Sequence, residues 1–110
     1  MKAVNFMSFK EIFRDKAELL KTLGHPVRLC IVAGLMENEC NVKTIQECLE
    51  LPQSTISQHL AILKARGILE GTRKGLEVCY KVINEDAKKI INSILGEEEK
   101  SYLKEKRKKL

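Results

Sequence analysis

Apolar residues recur every three or four positions from Phe9 to Leu23, namely Phe9, Ile12, Phe13, Ala17, Leu20 and Leu23. That period places them along one side of an α-helix. Gly24-His25-Pro26 interrupts the pattern, and Pro26 suits the first turn of a second helix, where its missing N–H costs nothing. Leu29, Val32, Ala33 and Met36 give this second helix an apolar face up to about Glu39. Asn41 is placed to cap a short third helix, in which Val42, Ile45 and Leu49 share a side.

After the break at Glu50-Leu51-Pro52, a fourth helix is expected from Pro52 to Arg66, with Ile56, Leu60 and Leu63 facing inward. Its other side is left to Ser54, Thr55, Gln58 and His59. Surface helices ordinarily carry Glu, Lys and Arg there, because serine and threonine are mediocre helix formers that gain little from water. Small hydroxyls and amides are what base edges and phosphates select. Gly67 ends the helix, and Ile68 to Arg73 and Leu76 to Val82 read as two strands around Lys74-Gly75. In the second strand Leu76, Val78, Tyr80 and Val82 alternate with Glu77, Cys79 and Lys81, so the first set is expected to pack on the helices. A last helix begins near Asn84, carries Ala87, Ile90, Ile91, Ile94 and Leu95 on one side, and is read as running into the charged tail to about residue 108.

Four helices, a hairpin and a fifth helix make a mainly α chain with a small β wing, the order of a winged helix-turn-helix. At 110 residues the chain is read as one domain. No apolar run reaches the roughly 18 residues of a membrane span, and residues 1–9 lack the apolar stretch of a signal peptide, so the expected compartment is the cytosol.

Charge sharpens the picture through its distribution. The net charge is +5, yet residues 1–52 hold seven basic and seven acidic groups. Residues 53–81 hold Lys64, Arg66, Arg73, Lys74 and Lys81 against Glu70 and Glu77, and the remaining excess lies in the tail. The basic surplus therefore coincides with the segment whose polar face suits DNA. Gln53, Ser54, Thr55, Ser57, Gln58, His59 and Lys64 are the expected DNA-binding residues of the helix, with Arg73 and Lys74 reaching phosphate or minor groove from the wing. A terminal charge run such as Lys104-Glu-Lys-Arg-Lys-Lys109 is more often a solvated end than a binding element.

Three stretches together resemble the ArsR/SmtB family of bacterial repressors: Ala17-Glu-Leu-Leu-Lys-Thr-Leu-Gly-His-Pro-Val-Arg-Leu29, Leu51-Pro-Gln-Ser-Thr-Ile-Ser-Gln-His-Leu60 and Arg73-Lys-Gly-Leu-Glu-Val-Cys-Tyr80. The resemblance spans roughly residues 15–95, and the ordered combination is more specific than any one stretch. It implies a homodimer that pairs its first and last helices, residues 9–23 and 84–108, and represses by sitting on a double-stranded DNA operator palindrome. The apolar faces of those helices exceed what one small core needs, which agrees with that implication. The family's metal sites do not carry over. Its CxC site aligns with Asn41 and Lys43, with Cys40 one residue out of register, and its last-helix site needs histidines whereas none follows His59, although Asp86 is present. No metal and no cofactor are therefore expected.

The four cysteines, Cys30, Cys40, Cys48 and Cys79, show no CxxC or CxC spacing, and buried small thiols are the simplest reading for Cys30 and Cys48. Strand parity sets Cys79 opposite Val78 and Tyr80, making Cys79, then Cys30, the expected redox-responsive thiols if the regulator senses oxidants. His25 reads as a hinge residue. No catalytic residues are identified, since paired carboxylates, a nucleophile with its base and a phosphate-cradling glycine loop are all missing. The competing readings are a winged helix that binds protein instead of DNA, which would show acidic or apolar residues on the outer face of 53–66, and a DNA-binding repressor without any small-molecule input.

Overall fold

The computed structural model describes residues 8–37 and 42–101, arranged as α1 (Phe9–Leu23), α2 (Pro26–Glu37), α3 (Val42–Leu49), α4 (Gln53–Ala65), β1 (Leu69–Lys74), β2 (Glu77–Val82) and α5 (Glu85–Ile94). Asn41, the expected cap of α3, and Cys40 lie outside the described residues.

Helix α1 begins with a capping box: Ser8 Oγ accepts the Glu11 amide while the Glu11 carboxylate accepts the Ser8 amide. The chain then bends by 92° into α2. His25 makes that bend, its Nδ1 accepting the Val27 amide at 3.2 Å and its carbonyl accepting the Leu29 amide at 2.8 Å. It thereby caps α2, whose first residue, Pro26, has no amide to satisfy. Helix α2 buries Ile31, Val32, Ala33 and Leu35 and touches α1, α3, α4, α5 and β2. The rest of the core comes from Leu23, Ile45, Ile56, Leu60, Leu63, Ile68, Leu69, Val82, Ala87 and Ile91.

Between α3 and α4, Glu50 closes the turn with φ 56°, donating its amide to the Gln46 carbonyl at 2.7 Å. Between α4 and β1 the chain forms a Schellman motif. Gly67, at φ 74°, donates to the Lys64 carbonyl, Ile68 donates to the Leu63 carbonyl, and the Ile68 side chain is wholly buried. Strands β1 and β2 pair antiparallel from Leu69 opposite Val82 to Lys74 opposite Glu77. The two-residue loop Gly75-Leu76, with φ 66° at Gly75, follows the sign pattern of a type II′ turn.

Two expectations need correction. Leu76 sits in that turn and is 96 % exposed, because parity was counted one residue past the strand's end. The stripe on α1 divides: Leu23 is buried beside Thr22 and the half-buried Leu19, while Phe9, Phe13 and Leu20 are exposed at 79 %, 66 % and 55 %, in line with an apolar face larger than one core needs. Helix α5 does not run unbroken into the tail, since Leu95 is extended (φ −100°, ψ 127°) before a helical stretch over residues 97–101. Residues 102–110 lie outside the described residues.

Ion pairs complete the placement of α1. Lys16 Nζ donates to Asp86 at 2.6 Å, linking α1 to the first turn of α5, and Glu18 meets Arg66 at 3.2 Å, linking it to the end of α4.

A Cβ added at Gly67 would meet nothing within 4 Å, so the cost of Gly67→Ala is backbone strain alone. It should destabilise by about 1–2 kcal/mol, the left-handed penalty of an L-residue. Glu50→Gly should stabilise by about 0.5–1 kcal/mol, the same penalty relieved less the entropy glycine loses. Urea denaturation at one fixed protein concentration reads both, and equal signs for the two substitutions would contradict the assignment.

Candidate nucleic-acid interface

Helix α4 divides into two faces. Ile56, Leu60 and Leu63 are fully buried, whereas Gln53, Ser54, Ser57, Gln58, Ala61 and Lys64 are exposed. Positions 53/57/61 and 54/58 follow the i, i+4 rows of one helix side, so these side chains form one surface. Ala61 escaped the sequence reading. The signal was its spacing from Ser57, and a methyl there suits the thymine methyl of a major-groove edge.

Thr55 and His59, expected on that surface, are only half-exposed. The His59 ring rests on His25, with centroids 4.5 Å apart and planes tilted by 50°, and its Nδ1 is enclosed without a hydrogen-bond partner. Its pKa is lowered by desolvation first and by His25 and Arg28 next. The reason for the departure lies in the helix period. His59 stands three residues after Ile56 and four before Leu63, which is the shoulder of the apolar face.

The wing brings its basic pair to the tip. Arg73 and Lys74 are exposed at the end of β1, opposite Val78 and Glu77, with the exposed Leu76 beside them. Gly71 lets the hairpin close behind this tip, because a Cβ there would approach the Tyr80 ring to 3.0 Å and Val78 to 3.1 Å. The Schellman turn joins α4 directly to β1, so the polar helix face and the basic tip are carried by one continuous segment.

The cysteines lie apart from this surface. Cys30, on α2, lines an apolar cavity of about 400 Å³ with Pro26, Leu29, Ala33 and Leu95. Cys79 is half-buried opposite Thr72, in the same class of exposure as Val78 and Tyr80, so strand parity does not single it out. Asp86 is engaged by Lys16, whose hydrogen bond and charge hold its carboxyl below the usual range. Lys43 is exposed. Among the described residues no single helix is long and apolar enough to cross a membrane.

Comparison with known proteins agrees with this geometry. Residues 25–70, which span the start of α2 through the start of β1, match the family model described as "Bacterial regulatory protein, arsR family". The chain is 43% identical over 89 residues to the transcriptional repressor PagR of Bacillus anthracis, covering 80% of this chain and 85% of PagR. The PagR crystal structure superposes with a TM-score of 0.69 at 43% identity, over 76% of this chain and 95% of that one. Reduced HlyU from Vibrio cholerae superposes with a TM-score of 0.75 at 30% identity, over 77% of this chain and 90% of that one. A helix-turn-helix with a polar outer face, a basic wing and relatives of this kind place the chain in the ArsR family of winged-helix, DNA-binding transcriptional repressors.

Proposed function

We propose that the chain represses transcription as a symmetric homodimer on a palindromic operator, with the outer face of α4 in the major groove and the wing tip on the backbone or minor groove. The observation that carries the assignment is the face formed by Gln53, Ser54, Ser57, Gln58, Ala61 and Lys64, which is exposed on a helix otherwise fixed in the core. It has no acidic residue, as a surface for phosphate-bearing DNA requires. Thr55 and His59 flank it from half-buried positions and contribute from its edge.

The homodimer rests on α1 and α5. Phe9 and Phe13 stack with centroids 6.3 Å apart and stand in solvent together with Leu20 and Ile94. The Lys16–Asp86 pair ties the two helices into one surface. Exposed aromatic and aliphatic side chains concentrated this way mark an interface. A two-fold axis through it would present two α4 helices to half-sites about one helical turn apart.

The division of labour gives distinct expectations. Gln58→Ala should change sequence preference, costing about 1–3 kcal/mol on the best operator and little on random DNA. Lys74→Ala should weaken all duplexes alike and flatten the salt dependence by about one unit for each protomer's lysine, out of some six to eight phosphates neutralised per dimer. Fluorescence anisotropy on the DNA upstream of the gene, titrated in salt, tests this, and matching profiles for the two variants would refute the split. Phe13→Glu should weaken the dimer by about 2–4 kcal/mol. Sedimentation equilibrium reads that directly, and an unchanged association constant would move the interface away from α1.

A further inference from the structure

Beside the core packing of α2 on α4, the residue that caps α2 meets the middle of α4 through the only two histidines in the chain, and no part of the proposed DNA-reading face requires them to touch. We infer that His25 is a positioning residue for the recognition helix: its imidazole, held by the α2 cap, seats the His59 ring and makes DNA binding depend on a neutral His59. The inference rests on the assignment of α4 to DNA given above.

His25 is fixed from both sides. Its amide donates to the Leu23 carbonyl at 2.8 Å and its Nδ1 accepts the Val27 amide at 3.2 Å. Accepting at Nδ1 leaves the single proton of the neutral ring on Nε2. The ring therefore has one tautomer and little rotational freedom, and the face it turns to His59 is set by the start of α2.

His59 is received differently. It lies in the middle of α4, between the buried Ile56 and Leu63, and its Nδ1 is enclosed with no hydrogen-bond partner. A neutral ring can leave a bare lone pair there. A protonated ring must place an N–H at both nitrogens, so the cation would carry a buried donor with no acceptor. The groups that bear on the ring add to this. Both come from the start of α2: Arg28, a fixed cation whose Nε donates to the Thr22 carbonyl at 2.8 Å, and His25 at 4.5 Å, which adds its own repulsion whenever it too carries a proton. On the other elements packed against α4, Lys43 and Glu47 of α3 and Glu70, Arg73 and Lys74 of β1 are exposed, and Glu37 lies at the far end of α2. Among the described residues no carboxylate counts among the groups that act on the ring to stabilise its charge.

The pH dependence follows. With its folded value below the ordinary 6.5, His59 takes up a proton less readily in the seated state than in an unseated one. Seating is fully favoured above about pH 6.5 and weakens as the pH falls below it. Since the ring sits between the buried and the exposed rows of α4, unseating it rotates or lifts the face that carries Ser57 and Gln58.

Two histidines give two imidazole Hε1 signals, so the contact can be read by proton NMR without DNA, assigned with His25→Asn. Asparagine keeps the cap, because its side-chain oxygen accepts the same amide, and it removes the ring. The expected result is a melting temperature close to the parent's, a His59 titration that moves up toward 6.5, and about three- to tenfold weaker binding to the upstream duplex at pH 7.5. The parent should lose affinity between pH 7.5 and 5.5, and His59→Gln should lose clearly less over the same range, keeping only the part that comes from the His25 cap. If His25→Asn matches the parent in titration and in binding, His25 is a cap and nothing more. If acidification tightens parental binding and His59→Gln removes that gain, His59 is a cationic phosphate contact and the inference is wrong. A duplex that no form binds at any pH overturns the interface assignment and the positioning role together, and the NMR titration still reports the ring contact, which tells the two failures apart.

Discussion

The structure depends on one constraint, which is that α2 must be covered on nearly every side. A helix with Ile31, Val32, Ala33 and Leu35 all buried in twelve residues has little face to give to water, and α1, α3, α4, α5 and β2 all serve as part of its cover. Helix α3 and the buried row of α4 close one side, and α5 and β2 close others. The exposed polar face exists because α4 needs only three large side chains, Ile56, Leu60 and Leu63, to hold its place. The rest of its circumference is released from packing and can be chosen for recognition.

The same constraint explains why α1 looks incomplete. It lies at 92° to α2 and contributes Leu19, Thr22 and Leu23 to the core, while two ion pairs fix it to α5 and to the end of α4. Exposed pairs of this kind add little stability individually. Their effect is orientation: they leave Phe9, Phe13 and Leu20 on the side away from the core.

Much of this was legible in the sequence. The period of three and four residues located α1 and α4 to within a residue at each end, and the lone stretch of alternation located the hairpin. What periodicity cannot supply is the identity of the neighbour. It showed that Phe9, Phe13 and Leu20 share a side of α1, but the side facing the core is the one through Leu19 and Leu23. At His59 the polar character of the residue outweighed its spacing, although three residues from Ile56 and four from Leu63 is a half-buried position on any helix. Leu76 was misplaced because alternation was carried into a turn whose glycine had already ended the strand. The caps made by Ser8 and His25 are local pairings, and the serine with glutamate three residues on was readable as a capping box. The acceptor role of an imidazole was not, since it depends on a ring rotamer.

The Schellman turn at Arg66-Gly67-Ile68 has a mechanical corollary. With Gly67 and Ile68 hydrogen-bonded back to the last turn of α4 and Ile68 locked in the core, no hinge separates helix from hairpin. The two act as a rigid caliper of fixed span. A duplex that meets both arms must supply the adjustment itself, by bending or by changing its groove width, and sequences that deform easily then have an energetic advantage at base pairs no side chain reaches.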